Sequence, residues 1–290
     1  MKPAPFGYHD PSTTDEAVAL LATLENARAL AGGQSLVPMM NFRYAMPDHL
    51  IDLNGVAELD QIEIGNDIVL GTMVRQRRIE FSEDLRQACP ILLDAILKVG
   101  HRQTRNRGTI GGSLCNLDPS AELAAMMMLH DARLTARSAR GARDIAMRDF
   151  AQGFMTTALE PDELLTQVAF TPWGEGHGHG FHEYARRHGD FAICSSGVLV
   201  EADAYGLVTR LAVAIGGVGP APVRLREAEA AAVGQPLSEQ LVAEIAAVAG
   251  RVDAVSDAHV GADYRRHLAG VLTRRAMASA MGKIKAAAHV

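Results

Sequence analysis

Arg105-Asn106-Arg107-Gly108-Thr109-Ile110-Gly111-Gly112-Ser113-Leu114-Cys115-Asn116-Leu117-Asp118-Pro119-Ser120-Ala121-Glu122 is the stretch around which the rest of the chain is read. Gly108, Gly111 and Gly112 permit positive φ and let the backbone approach a ligand with no Cβ in the way, while Thr109 and Ser113 add hydroxyls beside freed amides. Such a loop can cradle an anion. Asp118 and Pro119 are the residue types preferred at an N-cap and a first helical position, so a helix is expected from there through the apolar run 123–129.

Upstream lies a second loop of the same kind, Ala31-Gly32-Gly33-Gln34-Ser35-Leu36, with helical backbone expected over 37–42. It follows a capping-box helix at 13–26, set by Thr13 and Glu16, and a short strand at 28–31. A strand at 49–53 closes on Asn54-Gly55, and alternating residues on either side of Gly65-Asn66-Asp67 predict a hairpin over 62–73. Helices are expected at 75–88 and, opened by Pro90, at 91–99.

Beyond the opening stretch, strands are expected at 132–137, 143–147 and 164–170. The glycine-rich break 171–180 reads as a linker and domain boundary. After it come strands at 181–187, 193–202 and 207–215, then helices at 224–233, 238–249 and 264–281. The pattern is α+β, with helices ending the chain.

At 290 residues, 48% of them hydrophobic, the chain can bury a substantial core and is expected to form two domains. A net charge of −6 offers no general basic surface, which argues against nucleic acid and anionic membrane as partners. No apolar stretch is long enough to span a bilayer, and the expected location is the cytoplasm. Cys89, Cys115 and Cys194 are too far apart to build a disulfide framework, a zinc site or an iron–sulfur cluster within this chain. His177 and His179 have no ligand partner spaced nearby, so no metal site is expected, and the glycines around them read as linker.

Neither glycine loop fits the Rossmann or P-loop pattern, but together they can hold a diphosphate by backbone amides. Ala31-Gly32-Gly33-Gln34-Ser35-Leu36, Pro38-Met39-Met40, Arg43 and the run Arg105 to Gly112 resemble the FAD-binding medium subunit of the molybdenum hydroxylases. That family includes bacterial carbon monoxide dehydrogenase, quinoline oxidoreductase and the flavin segment of xanthine dehydrogenase. Phe181-His182-Glu183-Tyr184-Ala185-Arg186-Arg187-His188-Gly189-Asp190-Phe191-Ala192 is similar to the block that opens the family's C-terminal domain. Gly216-Gly217-Val218-Gly219-Pro220 and Tyr264-Arg265-Arg266-His267-Leu268 are similar to later segments, so the resemblance covers nearly the whole chain.

The resemblance implies a two-part FAD-binding domain at 1–173, with parts of about 1–55 and 56–173, and at 174–290 a small antiparallel sheet with C-terminal helices. It implies that Ala31, Gly32, Gly33, Gln34, Ser35 and Leu36 wrap the FAD diphosphate, and that Thr109, Ile110, Gly111, Gly112 and Ser113 approach from the second loop. Glu122, Leu164 or Leu165, and His182 match family positions near the cofactor, although for Glu122 first-turn helix stabilisation is an equal alternative. Gln34 stands where the carbon monoxide enzymes carry histidine, a departure from that substrate.

No catalytic constellation is visible, and none is needed if the flavin carries the chemistry. The resemblance implies that a large subunit with the molybdenum cofactor oxidises the substrate and a small subunit relays electrons through two-iron two-sulfur clusters. This chain then passes them to an external acceptor, within a complex expected to be a heterohexamer. The competing readings are a free-standing FAD-dependent reductase, which calls for an added substrate domain, and a non-enzymatic nucleotide-binding protein, which would show no flavin absorbance. The substrate is left open among N-heteroaromatics, aldehydes and carbon monoxide.

Overall fold

The computed structural model describes residues 2–287. It opens with β1 (Gly7–His9), α1 (Thr14–Thr23), β2 (Ala27–Leu30), α2 (Leu36–Asn41) and β3 (His49–Asp52), whose strands form a parallel sheet in the order β1-β3-β2. α1 begins where the sequence predicts: Thr13 Oγ1 accepts from the Glu16 amide at 3.2 Å. The Glu16 carboxylate reaches one residue further back, accepting from Ser12 N at 2.8 Å. A small core of Ala17, Val18, Leu21, Ile51 and Leu53 lies between α1 and this sheet.

The next unit contains β4 (Ile62–Ile64), β5 (Ile68–Gly71), α3 (Gln76–Phe81), α4 (Glu83–Ala88), α5 (Pro90–Ile96), α6 (Arg102–Arg107), α7 (Ile110–Asn116) and α8 (Glu122–Leu129). It ends with β6 (Arg133–Ser138), β7 (Gly141–Ala146), α9 (Met147–Phe150), β8 (Ala151–Gly153), β9 (Thr156–Thr157) and β10 (Leu164–Phe170). Its main sheet is antiparallel, ordered β4-β5-β10-β6-β7. The expected hairpin is present, with β4 paired to β5 across Gly65.

A final unit comprises β11 (Gly178–Tyr184), β12 (Cys194–Ala202), β13 (Val208–Gly216), β14 (Val223–Arg224), α10 (Arg226–Ala232), α11 (Glu239–Ala249) and α12 (Ala262–Ala287). Its four strands pair antiparallel in sequence order, with α12 packed on β11 and β12. The fold is thus a two-part mixed region followed by a small antiparallel sheet and terminal helices. Among the described residues no helix is long and apolar enough to cross a membrane.

Every residue of α8 is buried, because the helix is sandwiched between α5 on one side and β12 and β13 on the other. Met126, Met127 and Met128 therefore fill a core shared by the second and third units, which also takes in Phe181, Leu199, Ala212 and Ala214. A helix apolar on all sides is what such a position requires.

Four local expectations are corrected. The helix expected over 75–88 is two helices, because Ser82 is extended and caps α4 by accepting from Leu85 N at 3.3 Å. Asp118 does not start α8: its Oδ1 accepts from Ser120 N at 2.9 Å in the turn between α7 and α8, and the helix begins at Glu122. Leu117, in the left-handed region at φ 44, ends α7 and makes this turn possible.

Residues 105–117 are not open loop but the end of α6, Gly108 and Thr109, and α7, and neither Gly108, Gly111 nor Gly112 has positive φ. The glycine-rich linker is in part strand: β11 starts at Gly178, and a Cβ there would lie 2.2 Å from the Ala280 carbonyl oxygen. Gly180 repeats the contact at 2.3 Å from the Ala276 carbonyl oxygen. Both glycines exist to let β11 lie flat against α12.

Candidate cofactor site

β2 runs directly into Ala31 and the first glycine loop, and the second loop is brought up against it. A Cβ on Gly32 would sit 2.2 Å from the Arg107 carbonyl oxygen and 2.8 Å from Gly108 Cα, so only glycine allows the two backbones this close. A Cβ on Gly112 would lie 3.4 Å from Ala31 Cβ. Gly33 turns the chain at φ 71, a left-handed conformation that costs glycine nothing.

Side chains the sequence did not single out hold the loops together. Asn54 Nδ2 donates to the Ala31 carbonyl at 3.2 Å, and Arg75 donates both to Asn54 Oδ1 and to the Arg107 carbonyl. Gln34 Nε2 folds back onto the Gly32 carbonyl at 3.0 Å. The result is a cavity of about 420 Å³ bounded by Ala31, Gly32, Gly33, Gln34, Asn54 and Arg107. In the sequence Asn54-Gly55 looks only like the turn that closes β3, and Arg75 only like a residue of a charged helix face.

Of the two arginines in the stretch 105–122, Arg105 is committed to the fold. It is buried, pairs with Glu80 at 2.9 Å and donates to the Val99 carbonyl at 3.0 Å. Arg107 instead lines the cavity, where a cation suits an anionic ligand.

Within α7, Thr109 is the N-cap and accepts from Gly112 N at 3.0 Å. Ile110 and Gly111 are buried, with a Gly111 Cβ falling 2.3 Å from Thr72 Cβ, while Gly112 and Ser113 are half-buried. Ser35 makes no capping bond to α2, and Leu36 is half-buried beside it. Leu164 is buried in the first core, and its neighbour Leu165 in the second.

Glu122 and His182 lie away from the glycine loops, Glu122 at the start of α8 and His182 on β11. Glu122 is only 7% exposed and lies against Glu183 of β11. Burial, and then the Glu183 charge, push its carboxyl above the usual carboxylate range. His182 points to α12, with Nε2 3.0 Å from Ser279 Oγ, and burial followed by the Arg275 and Lys98 charges lowers its pKa. The sequence-selected residues thus divide among the glycine loops, the core positions of Leu164 and Leu165, the start of α8 at Glu122, and the α12 side of β11 at His182.

A larger groove of about 1060 Å³ lies elsewhere, lined by Phe81, Trp173, His177 and His179. It touches neither glycine loop. His177 Nδ1 is 2.7 Å from the Gly174 carbonyl, and His179 faces Asp94 at 3.7 Å. Among the described residues no three His, Cys, Asp or Glu side chains are grouped to hold a metal ion.

Residues 4–173 match the family described as FAD binding domain in molybdopterin dehydrogenase, and residues 179–280 match the CO dehydrogenase flavoprotein C-terminal domain. The chain is an FAD-binding medium subunit of the molybdenum hydroxylase family. This medium subunit is 35% identical to caffeine dehydrogenase subunit beta of Pseudomonas sp. (strain CBB1), covering 98% of this chain and 97% of the relative. It is 37% identical to the carbon monoxide dehydrogenase medium chain of Afipia carboxidovorans, over 98% of this chain and 100% of that one. The solved carbon monoxide dehydrogenase from Hydrogenophaga pseudoflava matches with a TM-score of 0.94 and 33% identity, covering 98% of this chain and 99% of that chain. The medium subunit is accordingly part of an oxidoreductase.

Proposed function

We propose that this medium subunit holds FAD between its two glycine loops and serves as the electron exit of a molybdenum-containing hydroxylase. The observation that carries the reading is the contact of Gly32 with Arg107 and Gly108, which joins the two loops around one cavity. Ala31 to Leu36 and Arg107 would hold the diphosphate, by backbone amides and one guanidinium. Thr109 to Ser113 would approach from the second loop, and Glu122, Leu164 and His182 would stand nearer the flavin end. Bound FAD supplies the one- and two-electron chemistry, and the chain supplies position, charge and exclusion of water.

The division we propose is an FAD-binding domain at 1–173, in parts of about 1–55 and 56–173, and a C-terminal domain at 174–290. The partners are a large subunit with the molybdenum cofactor and a small subunit with two-iron two-sulfur clusters, assembled as a heterohexamer. Three widely separated cysteines give this chain no means of ligating a cluster, so electrons reach it from another chain. All three are free thiols, as suits the reducing cytoplasm. Relatives named as subunits support the assembled reading over a free-standing reductase.

Co-expression of the three chains followed by size exclusion tests the proposal. The medium subunit should co-elute with both partners and carry flavin absorbance. A medium subunit that elutes alone in every preparation, or a complex with no flavin, would overturn it.

A further inference from the structure

Two segments that carry no glycine motif converge on the loops. Residues 72–76 run antiparallel beside the second loop: Gly111 N donates to the Thr72 carbonyl at 2.9 Å, Ile110 N to the Val74 carbonyl at 3.1 Å and Gln76 N to the Gly108 carbonyl at 2.9 Å. Arg75 stands opposite Thr109 in this pairing. The other segment leaves β3, where Asn54 N donates to Asp52 Oδ1 at 3.0 Å and Asn54 Nδ2 to the Ala31 carbonyl at 3.2 Å.

The Arg75 side chain spans the two. Its Nη1 donates to the Arg107 carbonyl and its Nη2 to Asn54 Oδ1, so one planar group reaches the second loop directly and the first loop through Asn54. The Arg107 carbonyl is also the atom nearest to where a Gly32 Cβ would lie, and Arg107 lines the cavity. The backbone that carries a cavity cation is thereby pinned at its point of contact with the first loop. Both Arg75 bonds are open to solvent, so their loss costs the fold little. What they fix is spacing and direction, and a ligand site needs its groups within about 0.5 Å of their place.

We propose that Arg75 is a positioning residue for the cofactor: with Asn54 as its partner, its guanidinium sets the separation of the two glycine loops and aims Arg107 at the diphosphate. The proposal rests on the reading of the cavity as the diphosphate site.

The test uses the co-purified complex as wild type, Arg75→Lys, Asn54→Ala, the double variant and Gly32→Ala. Flavin is removed, and FAD rebinding and thermal unfolding are measured on the same flavin-free samples. Arg75→Lys keeps the charge but loses the fork, and Asn54→Ala removes the far acceptor. Each should weaken FAD about 10-fold while unfolding close to wild type. The double variant should bind no worse than the weaker single one, because both substitutions break the same link.

Full FAD affinity in Arg75→Lys and Asn54→Ala, beside weakened binding in Gly32→Ala, overturns Arg75 as a positioning residue. Losses that add in the double variant, or that follow a fall in the unfolding midpoint, overturn it as well. Full affinity in every variant, Gly32→Ala included, overturns the diphosphate reading of the cavity instead, as does a wild type that binds no FAD.

Discussion

In the first glycine loop Gly33 sits at φ 71 and Gly32 presses against the backbone at 107–108, both facing the cavity; in the second, Gly111 and Gly112 lie inside a regular helix. The two Gly-Gly pairs look alike in sequence, yet one shapes a binding surface and the other lets a helix approach a neighbour. Gly111 packs against Thr72, whose own Oγ1 donates to the Leu165 carbonyl at 2.9 Å, so it ties α7 to the end of β5 and to β10. A glycine pair signals close approach. Only geometry says whether the thing approached is a ligand or the protein itself.

The largest effect is expected at Gly111. A valine there would place its Cβ 2.3 Å from Thr72 Cβ and 2.7 Å from the Thr72 carbonyl oxygen. The backbone has to move, at a cost of about 3 kcal/mol or more. Gly111→Val should lower the unfolding midpoint sharply, with flavin loss as a consequence. A variant that melts like wild type but comes without flavin would make Gly111 ligand-facing and erase the contrast.

Gly32→Ala tests the other side. The added methyl meets the Arg107 carbonyl oxygen at 2.2 Å and wedges the loops apart, costing about 2 kcal/mol. Flavin content of the purified complex should fall far more than for other substitutions of equal stability cost. Full flavin occupancy would show that the cavity between the loops is not the diphosphate site.

The start of α8 should respond to pH where the loops do not. The folded pKa of Glu122 is raised above the ordinary carboxylate range of about 4.3. Its contribution to stability is therefore complete below that range and is lost as pH rises through the folded value. Melting of the complex should weaken with rising pH by about 1 to 2 kcal/mol more in wild type than in Glu122→Gln. Parallel melting curves would mean that Glu122 is ionised in the folded protein.

Gly33→Ala is milder, about 1 kcal/mol, because the cost is a side chain held at φ 71 beside Val37 Cγ2 at 3.2 Å. It should be seen in thermal unfolding, with flavin retained. Loss of flavin without loss of stability would mean that the ligand sits against Gly33 Cα.

Much of this was legible before the structure. The hairpin at Gly65, the Thr13 cap, the strands of the third unit and the first glycine loop follow from local pattern, which needs no knowledge of distant contacts. The rest depends on tertiary neighbours. α7 hides behind Gly111 and Gly112, poor helix formers held helical by packing, and Gly178 and Gly180 read as linker because the α12 backbone that demands them is about a hundred residues away in sequence. Asn54 and Arg75 carry no motif, and their role appears only when β3 and the start of α3 converge on the loops.

Gly112→Ala is the finest probe of the comparison, since here the two uses of glycine meet in one residue. As a helical position it should gain about 1 kcal/mol from the better helix former. Against this, the new Cβ would crowd Thr109 Oγ1 at 2.9 Å, disturbing a cap worth about 1 kcal/mol. Unfolding stability should therefore stay close to wild type. The same methyl, however, contacts Ala31 Cβ at 3.4 Å, and Ala31 is a wall of the cavity. Flavin affinity should weaken modestly while the melting curve holds, a split that a purely structural glycine cannot produce. If affinity and stability instead move together, α7 supports the fold alone and the first loop carries the diphosphate without it.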